Sequence, residues 1–275
     1  MKKIFALTAL LLPLSLFAQG VTENVDEGFE ARGRISVGAD WKPVKGFHIY
    51  LDEQARFNNN FTSFDRLHTT VGMSYKFNPY LKASAEYVLI ALMKTDKSWR
   101  VRHRVSASLT GSYSTGPWHF SLKETFRLTN SPYHINTYEK PRNAMALLHK
   151  FKVAYKINNK LEPYAFFELR NTLNEVQASV TPVSNKSYLY KFENLGYNQV
   201  YINRYRAGLG LDWKLSGHHS LDIKLLGDYC FDKKIDVDSA GQIKMLDDDE
   251  TQDLPVITYT RGFHLIPSIS YKFRF

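Results

Sequence analysis

The chain has 275 residues, 44% of them hydrophobic and 23% charged, and carries a formal net charge of +9 with a single cysteine, Cys230. One cysteine excludes a disulfide framework and a cysteine-built metal site. With a mean hydropathy of −0.35 and no later apolar run longer than Tyr87–Met93, the chain beyond Gly20 cannot cross a membrane by helices, which need about 20 apolar residues.

Taken from the start, Met1-Lys2-Lys3 is a short positive segment, Ile4–Ala18 an apolar run, and Ala18 a small residue before Gln19-Gly20. This order predicts a secretory signal peptide over 1–18, leaving one mature domain over 19–275. As a membrane anchor the run is too short, and Pro13 interrupts it.

From Phe29 onward, period-two alternation dominates, the mark of strands with two different faces. Phe29, Ala31, Gly33, Ile35, Val37, Ala39 and Trp41 share one face, with Glu30, Arg32, Arg34, Ser36, Gly38 and Asp40 opposite. Eleven such segments follow in chain order: 29–42, 47–57, 66–77, 80–93, 99–113, 118–129, 145–157, 161–171, 200–215, 220–231 and 261–275. Short turns (43–46, 78–79, 114–117, 158–160 and 216–219) alternate with longer polar loops (58–65, 94–98, 130–144, 172–199 and 232–260). Short periplasmic turns and long outer loops are the pattern of an antiparallel transmembrane β-barrel of the outer membrane.

Aromatics collect beside the short turns: Trp41, Phe47, Tyr75, Phe77, Tyr80, Tyr113, Trp118, Tyr155, Trp213, Tyr271 and Phe273. They are expected at the periplasmic interface, with Phe29, Phe57, Trp99, Phe126, Phe167, Tyr201, Phe231 and Phe263 forming the outer girdle. The chain closes on Ile269-Ser270-Tyr271-Lys272-Phe273-Arg274-Phe275, an amphipathic strand with a final Phe. It is similar to the signal read by the outer-membrane barrel assembly machinery. Because single-chain bacterial barrels have even strand numbers, about twelve strands are expected, with ten or fourteen as alternatives. The missing partner is sought in Val21–Gly28 or Tyr188–Phe192. Glu53, His103, Glu124 and His149 fall on the lipid phase, where bulges or interface positions are expected.

On the inward phase basic residues outnumber acids, and they bunch as Arg100/Arg102/Arg104, Lys150/Lys152 and Arg204/Arg206. Two readings stay open. A lumen lined by these cations prefers anions; or arginines and carboxylates pair across a narrow lumen and plug it. Cations that alternate with lipid-type residues make no exposed patch for nucleic acid, which is not expected as a partner. Catalysis by serine needs a Ser–His pair with an orienting third group, and no local motif supplies one. The run Asp247–Glu250 lacks the glycine spacing of a calcium loop, so no metal or cofactor is expected. Lipid and lipopolysaccharide of the outer membrane are the expected partners.

Trp99–Arg104 (WRVRHR), Lys160–Arg170 (KLEPYAFFELR), Tyr205–Trp213 (YRAGLGLDW) and Ile269–Phe275 (ISYKFRF) together resemble the domain-of-unknown-function 2490 family of outer-membrane proteins, over about Gly28–Phe275. The resemblance implies a barrel without an established activity. It also implies an internal network of Arg100, Arg102, Arg104, Glu168, Arg170 and Arg206, to which the inward phase adds Lys150, Lys152 and Arg204. The expected function is a narrow or plugged barrel with a basic lumen that could prefer anions. The alternatives are a lipid-modifying hydrolase of the outer membrane and a barrel that binds surface partners through its loops.

Overall fold

The structure, a computed structural model, describes residues 22–93, 98–133, 138, 140–182, 189–235, 237, 242–244 and 257–275. The expected signal peptide, Tyr188 and Asp247–Glu250 lie outside the described residues. Fifteen strands run in chain order: β1 (Thr22–Ala31), β2 (Gly33–Val44), β3 (Phe47–Asn58), β4 (Ser63–Asn78), β5 (Leu81–Met93), β6 (Trp99–Thr115), β7 (Trp118–Asn130), β8 (Asn143–Tyr155), β9 (Leu161–Glu175), β10 (Ala178–Pro182), β11 (Leu189–Asn194), β12 (Gln199–Lys214), β13 (His219–Ile235), β14 (Gln242–Lys244) and β15 (Ile257–Arg274). Every expected segment forms a strand, and both candidate segments for the missing partner do so too, as β1 and β11.

Twelve of these strands form one sheet, in which neighbours are antiparallel except at the seam. There β15 pairs in parallel with β1 through Thr22↔Ile257 to Ala31↔Leu265, and with β2 through Arg34↔Ser268 to Asp40↔Arg274. The Arg32 N–H donates to the Leu265 carbonyl at 2.9 Å between the two stretches. So β1 and β2 follow one line, and among the described residues eleven strand lines close the barrel. The odd number follows from geometry. Ten antiparallel junctions leave the first and last lines pointing the same way, and closure then requires one parallel pair. The second candidate, β11, joins β10 and β14 in a separate three-stranded sheet instead. Beside it Val176, Phe192, Ile235 and Ile257 form a small apolar core.

Stagger fixes the shape. A row of direct partners leaves β2 at Val44 and passes Phe47, Tyr75, Ala83, Leu109, Glu124, His149, Leu169, Tyr205, Tyr229 and Phe263. It returns to the first line at Phe29, fifteen residues from its start, one of them in the bulge after Trp41. Such stagger tilts the strands by roughly 40–45° and links radius to strand number.

Alternation then sorts the side chains. Ile35, Val37, Leu51, Val71, Val105, Leu109, Leu122, Phe151, Leu225 and Ile269 are exposed on the outer face, and Leu209 is 67% exposed. Trp41, Tyr75, Phe77, Tyr80, Tyr113, Trp118, Tyr155 and Trp213 are exposed beside the short turns. Phe29 stacks on Phe263 and Phe64 meets Trp99 towards the opposite rim. Three expectations change. Phe126 and Phe167, paired with Leu147 and Ala207, sit within the apolar belt below the outer girdle. Tyr201 turns its hydroxyl into the interior, because bulges on either side of Tyr201–Ile202 shift the register of β12. The loop expected at 58–65 tightens to a four-residue turn, with Asn59, Asn60 and Phe61 all at positive φ.

The interior is filled by side chains. Phe166, Leu226 and Ile266 pack together with Tyr164, and Val88, Ile90 and Leu148 are also buried. Each such apolar burial contributes about 1.5–3 kcal/mol. Aromatic rings lie flat over glycines on the next strand. A Cβ at Gly210 would stand 2.4 Å from the Tyr164 ring and one at Gly72 would stand 2.4 Å from that of Tyr50, whereas Gly111 has open space. Gly210→Ala is therefore expected to destabilise the refolded barrel by about 1–3 kcal/mol through overpacking, with Gly111→Ala close to neutral. Urea titration in detergent micelles checks both; equal effects would mean that ring contact is not the reason for Gly210.

Candidate functional site

Tilted strands place residues of different sequence offset at one height, and this assembles the interior charge. Direct cross-strand pairs carry Arg34↔Arg56↔Arg66 across β2, β3 and β4. On the far wall Arg170 faces Arg204, and the row Glu168↔Arg206↔Asp228↔His264 crosses β9, β12, β13 and β15. The seam brings the two walls together, so that Arg34 lies 3.9 Å from Asp228. Arg104 on β6 faces the charges of Arg66, Arg127, Arg170 and Arg204, and Arg56 faces those of Arg34, Arg66, Arg104 and Arg206. Eight arginines from seven strands thus converge into a ring in the half of the barrel nearer the long loops.

Two carboxylates are set among them, Glu168 and Asp228. Asp228 is the better placed: its side chain is 4% exposed and accepts from Arg206 Nε at 2.5 Å and Nη2 at 2.7 Å, a two-pronged bond. Arg206 Nη1 reaches Glu168 at 3.2 Å. The other guanidiniums lean on neutral or peripheral groups. Arg170 donates to Asn203, Arg104 to Thr129 and Arg56 to Gln54, while Arg66 turns to its neighbour Asp65. Like charges opposed across a strand pair destabilise a sheet, so this arrangement does not fold for stability alone.

Nearer the short turns the chemistry changes from arginine to lysine, and the charges balance. A cavity of about 350 Å³ is lined by Asp40, His48, Tyr50, Lys82, Glu86 and Lys123 among others, and a second of about 130 Å³ by Lys152, Tyr164, Asp222 and Lys272 among others. Pairs are made here: Lys224–Asp222 at 2.8 Å, His48–Asp40 at 3.0 Å, Tyr50 to Glu86 at 2.7 Å and Tyr164 to Asp222 at 2.5 Å. Lys150 and Lys152 each place their ammonium 3.8 Å from the ring centres of Phe166 and Tyr164.

The residues singled out from sequence therefore separate by height. Arg104, Glu168, Arg170, Arg204 and Arg206 enter the ring; Arg100 and Arg102 lie above it, Arg102 being exposed; Lys150 and Lys152 lie below. The alternation also puts Arg34, Arg56, Arg66, Arg127 and Asp228 on the inward face, but a ranking by runs of like charge along a strand does not single them out. None has a like charge two residues away within its own strand. Their distance from the nearest short turn, corrected for the stagger, was the signal that could have found them.

On the outer face the polar residues stay outside, where bulges or interface positions had been expected. No register shift falls at these positions, and local partners satisfy them instead: Thr69 donates to Glu53 at 3.1 Å, Tyr87 meets His103 at 2.7 Å, and His149 bonds Glu124 at 2.5 Å and Asn171 at 2.9 Å. His149 thus has the acid partner that the sequence did not reveal. Its partners among the described residues include no serine. Ser114 and His119 approach to 2.7 Å in an exposed short-turn position, with no carboxylate bonded to that imidazole among the described residues.

A closed barrel with a filled interior, a balanced lysine–carboxylate half and a cationic arginine ring is the class of protein defined by these features. The chain belongs to the family described as protein of unknown function, DUF2490, which matches residues 32–238, from the start of β2 to just past β13. No curated protein matches it. Removing one member of a buried pair leaves the other charge uncompensated at about 3–5 kcal/mol. Asp228→Asn is therefore expected to lose that much in urea titration, and Arg206→Met with Asp228→Leu to lose clearly less. Equal losses would mean that Arg206 is not held by Asp228.

Proposed function

We propose that the protein is a Gram-negative outer-membrane barrel, exported through residues 1–18, whose narrow basic lumen prefers anions. One observation carries the reading: eight guanidiniums gather in a filled interior against three carboxylates, Glu168 and Asp228 among them and Asp65 on Arg66. An arginine ring attracts anions and repels cations, and the focusing grows in a narrow lumen with low-dielectric walls. Arg100 and the exposed Arg102, above the ring, offer positive charge to an anion arriving from the long-loop side. The filled interior argues for small conductance steps.

The outer face supports the membrane assignment. Exposed aliphatic side chains from Ile35 to Ile269 between two aromatic bands match a lipid-facing belt about 25 Å tall; in water they would be a patch far larger than soluble proteins expose. Its partners are then outer-membrane lipid and lipopolysaccharide, with the assembly machinery engaging β15 and Phe275. In cell fractionation, the mature protein is expected with the outer membrane as a heat-modifiable band, and deletion of Phe275 is expected to reduce that band several-fold. An unchanged yield would remove the terminal Phe from the assembly signal.

Conductance in a planar bilayer under a salt gradient tests the lumen. Small steps with a reversal potential on the anion side are expected, and Arg104→Ala is expected to lower that selectivity more than Arg102→Ala. A folded protein that passes no current would sink the passage.

A further inference from the structure

The residue types in the ring ask for more than chloride. We infer that the arginine ring is a binding site for a multivalent oxyanion, a phosphate or a small phosphorylated molecule, held between the β2–β4 wall and the β9–β12 wall. The inference deepens the basic-lumen reading and rests on its placement of these side chains inside the barrel.

Three independent observations support it. First, the cations segregate by type. The ring is built of arginine (Arg34, Arg56, Arg66, Arg104, Arg127, Arg170, Arg204 and Arg206), whereas the other half holds Lys82, Lys123, Lys150, Lys152, Lys224 and Lys272, with Arg274 at the end of β15 as its one arginine among the cavity-lining residues. For diffuse attraction of small anions the two residues would serve equally; the planar fork of arginine is the one that matches two oxygens of a phosphate. Second, the ring contains donors without acceptors. Arg127 Nε and Arg204 Nε are buried N–H donors with no hydrogen-bond partner among the described residues; His68 Nε2, donor or acceptor by tautomer, is likewise unmatched among them, and His68 is 4% exposed. Its imidazole sits among the charges of Arg56, Arg104, Arg66 and Arg34. A guanidinium is donor-only, so a site rich in unanswered N–H groups is completed by a group that only accepts. Third, Glu168 and Asp228 leave an excess of guanidiniums, and uncompensated charge in an enclosed interior is unfavourable by several kcal/mol per ion. One doubly or triply charged ligand offsets that excess where chloride ions would have to crowd.

A structural role alone predicts carboxylates spaced among the arginines, as Asp222 and Glu86 are among the lysines. The ring departs from that pattern at Arg56 and Arg104, which face other arginines.

Isothermal titration of the refolded mature barrel in detergent, at fixed ionic strength, tests the site with inorganic phosphate, inorganic pyrophosphate and purified lipopolysaccharide. Pyrophosphate is expected to bind one per barrel and to raise the temperature of heat modification. Arg104→Lys keeps the charge and removes the fork, and is expected to weaken binding at least tenfold; Lys82→Gln, in the other half, is expected to change it less than twofold. No heat from phosphate or pyrophosphate up to millimolar concentrations would overturn the proposal, as would equal binding by Arg104→Lys. Binding of lipopolysaccharide alone, insensitive to Arg104→Lys, would put the phosphate on the outer face and also overturn it. Conductance separates this site from the passage. Pyrophosphate that binds a barrel passing no chloride leaves the site standing and the passage refuted, while chloride selectivity that pyrophosphate neither blocks nor shifts refutes the site alone.

Discussion

Closure of an odd number of strand lines is the constraint from which the rest of this molecule follows. Ten antiparallel junctions can be built by local turns, but the last edge must meet the first in parallel, across more than two hundred residues of chain. That seam fixes the stagger, because β15 has to satisfy β1 over one half of its length and β2 over the other while holding β13 on its opposite edge. Stagger fixes the tilt, and tilt decides which lumenal residues share a height. Had the seam closed two residues differently, Arg34 would sit level with another pair and miss Asp228.

Inside that frame, two kinds of packing divide the lumen. Apolar contacts of Phe166, Leu226 and Ile266 and the rings over Gly72 and Gly210 make the wall rigid without polar atoms to satisfy. Charged groups occupy what space remains, balanced by carboxylates near the short turns and left in excess of them nearer the long loops. The buried Arg206–Asp228 bond matches a guanidinium on both prongs from a neighbouring strand, as Asp65 does for Arg66 from the next residue in the chain. It fixes Arg206 across two strands, and the excess charge is carried by arginines that lack such an anchor.

Much of this could be read from residues in order. Period-two alternation gave the strands because a barrel wall with an apolar outer face and a charged lumen must alternate. β1 was harder to see. Its sequence, TENVDEGFEA, carries four acids and little alternation, since most of it pairs above the apolar belt of the outer face. The ring was illegible for a different reason. Its members are spread over seven strands, and their common height depends on pairings summed around the whole barrel, where an error of one residue in any turn moves the answer. Tyr201 shows the same sensitivity locally, as the bulges beside it reverse its side. His149 was visible as a misfit, but its partners Glu124 and Asn171 lie on the two neighbouring strands, beyond any motif window.

The seam has one more consequence. Parallel pairing is slightly weaker per residue than antiparallel pairing, and no hairpin ties β15 to β1 or β2, so this junction alone can part without stretching a connection. Side chains hold it instead: Ser36 donates to Ser270 at 2.7 Å, Arg261 donates to Asn24 at 3.1 Å, His264 lies 3.5 Å from Glu30, and Phe29 stacks on Phe263. The barrel is therefore a cylinder with a built-in zip. It is the line along which a nascent wall would be fastened last, and the line along which a mature one would gape first under lateral strain.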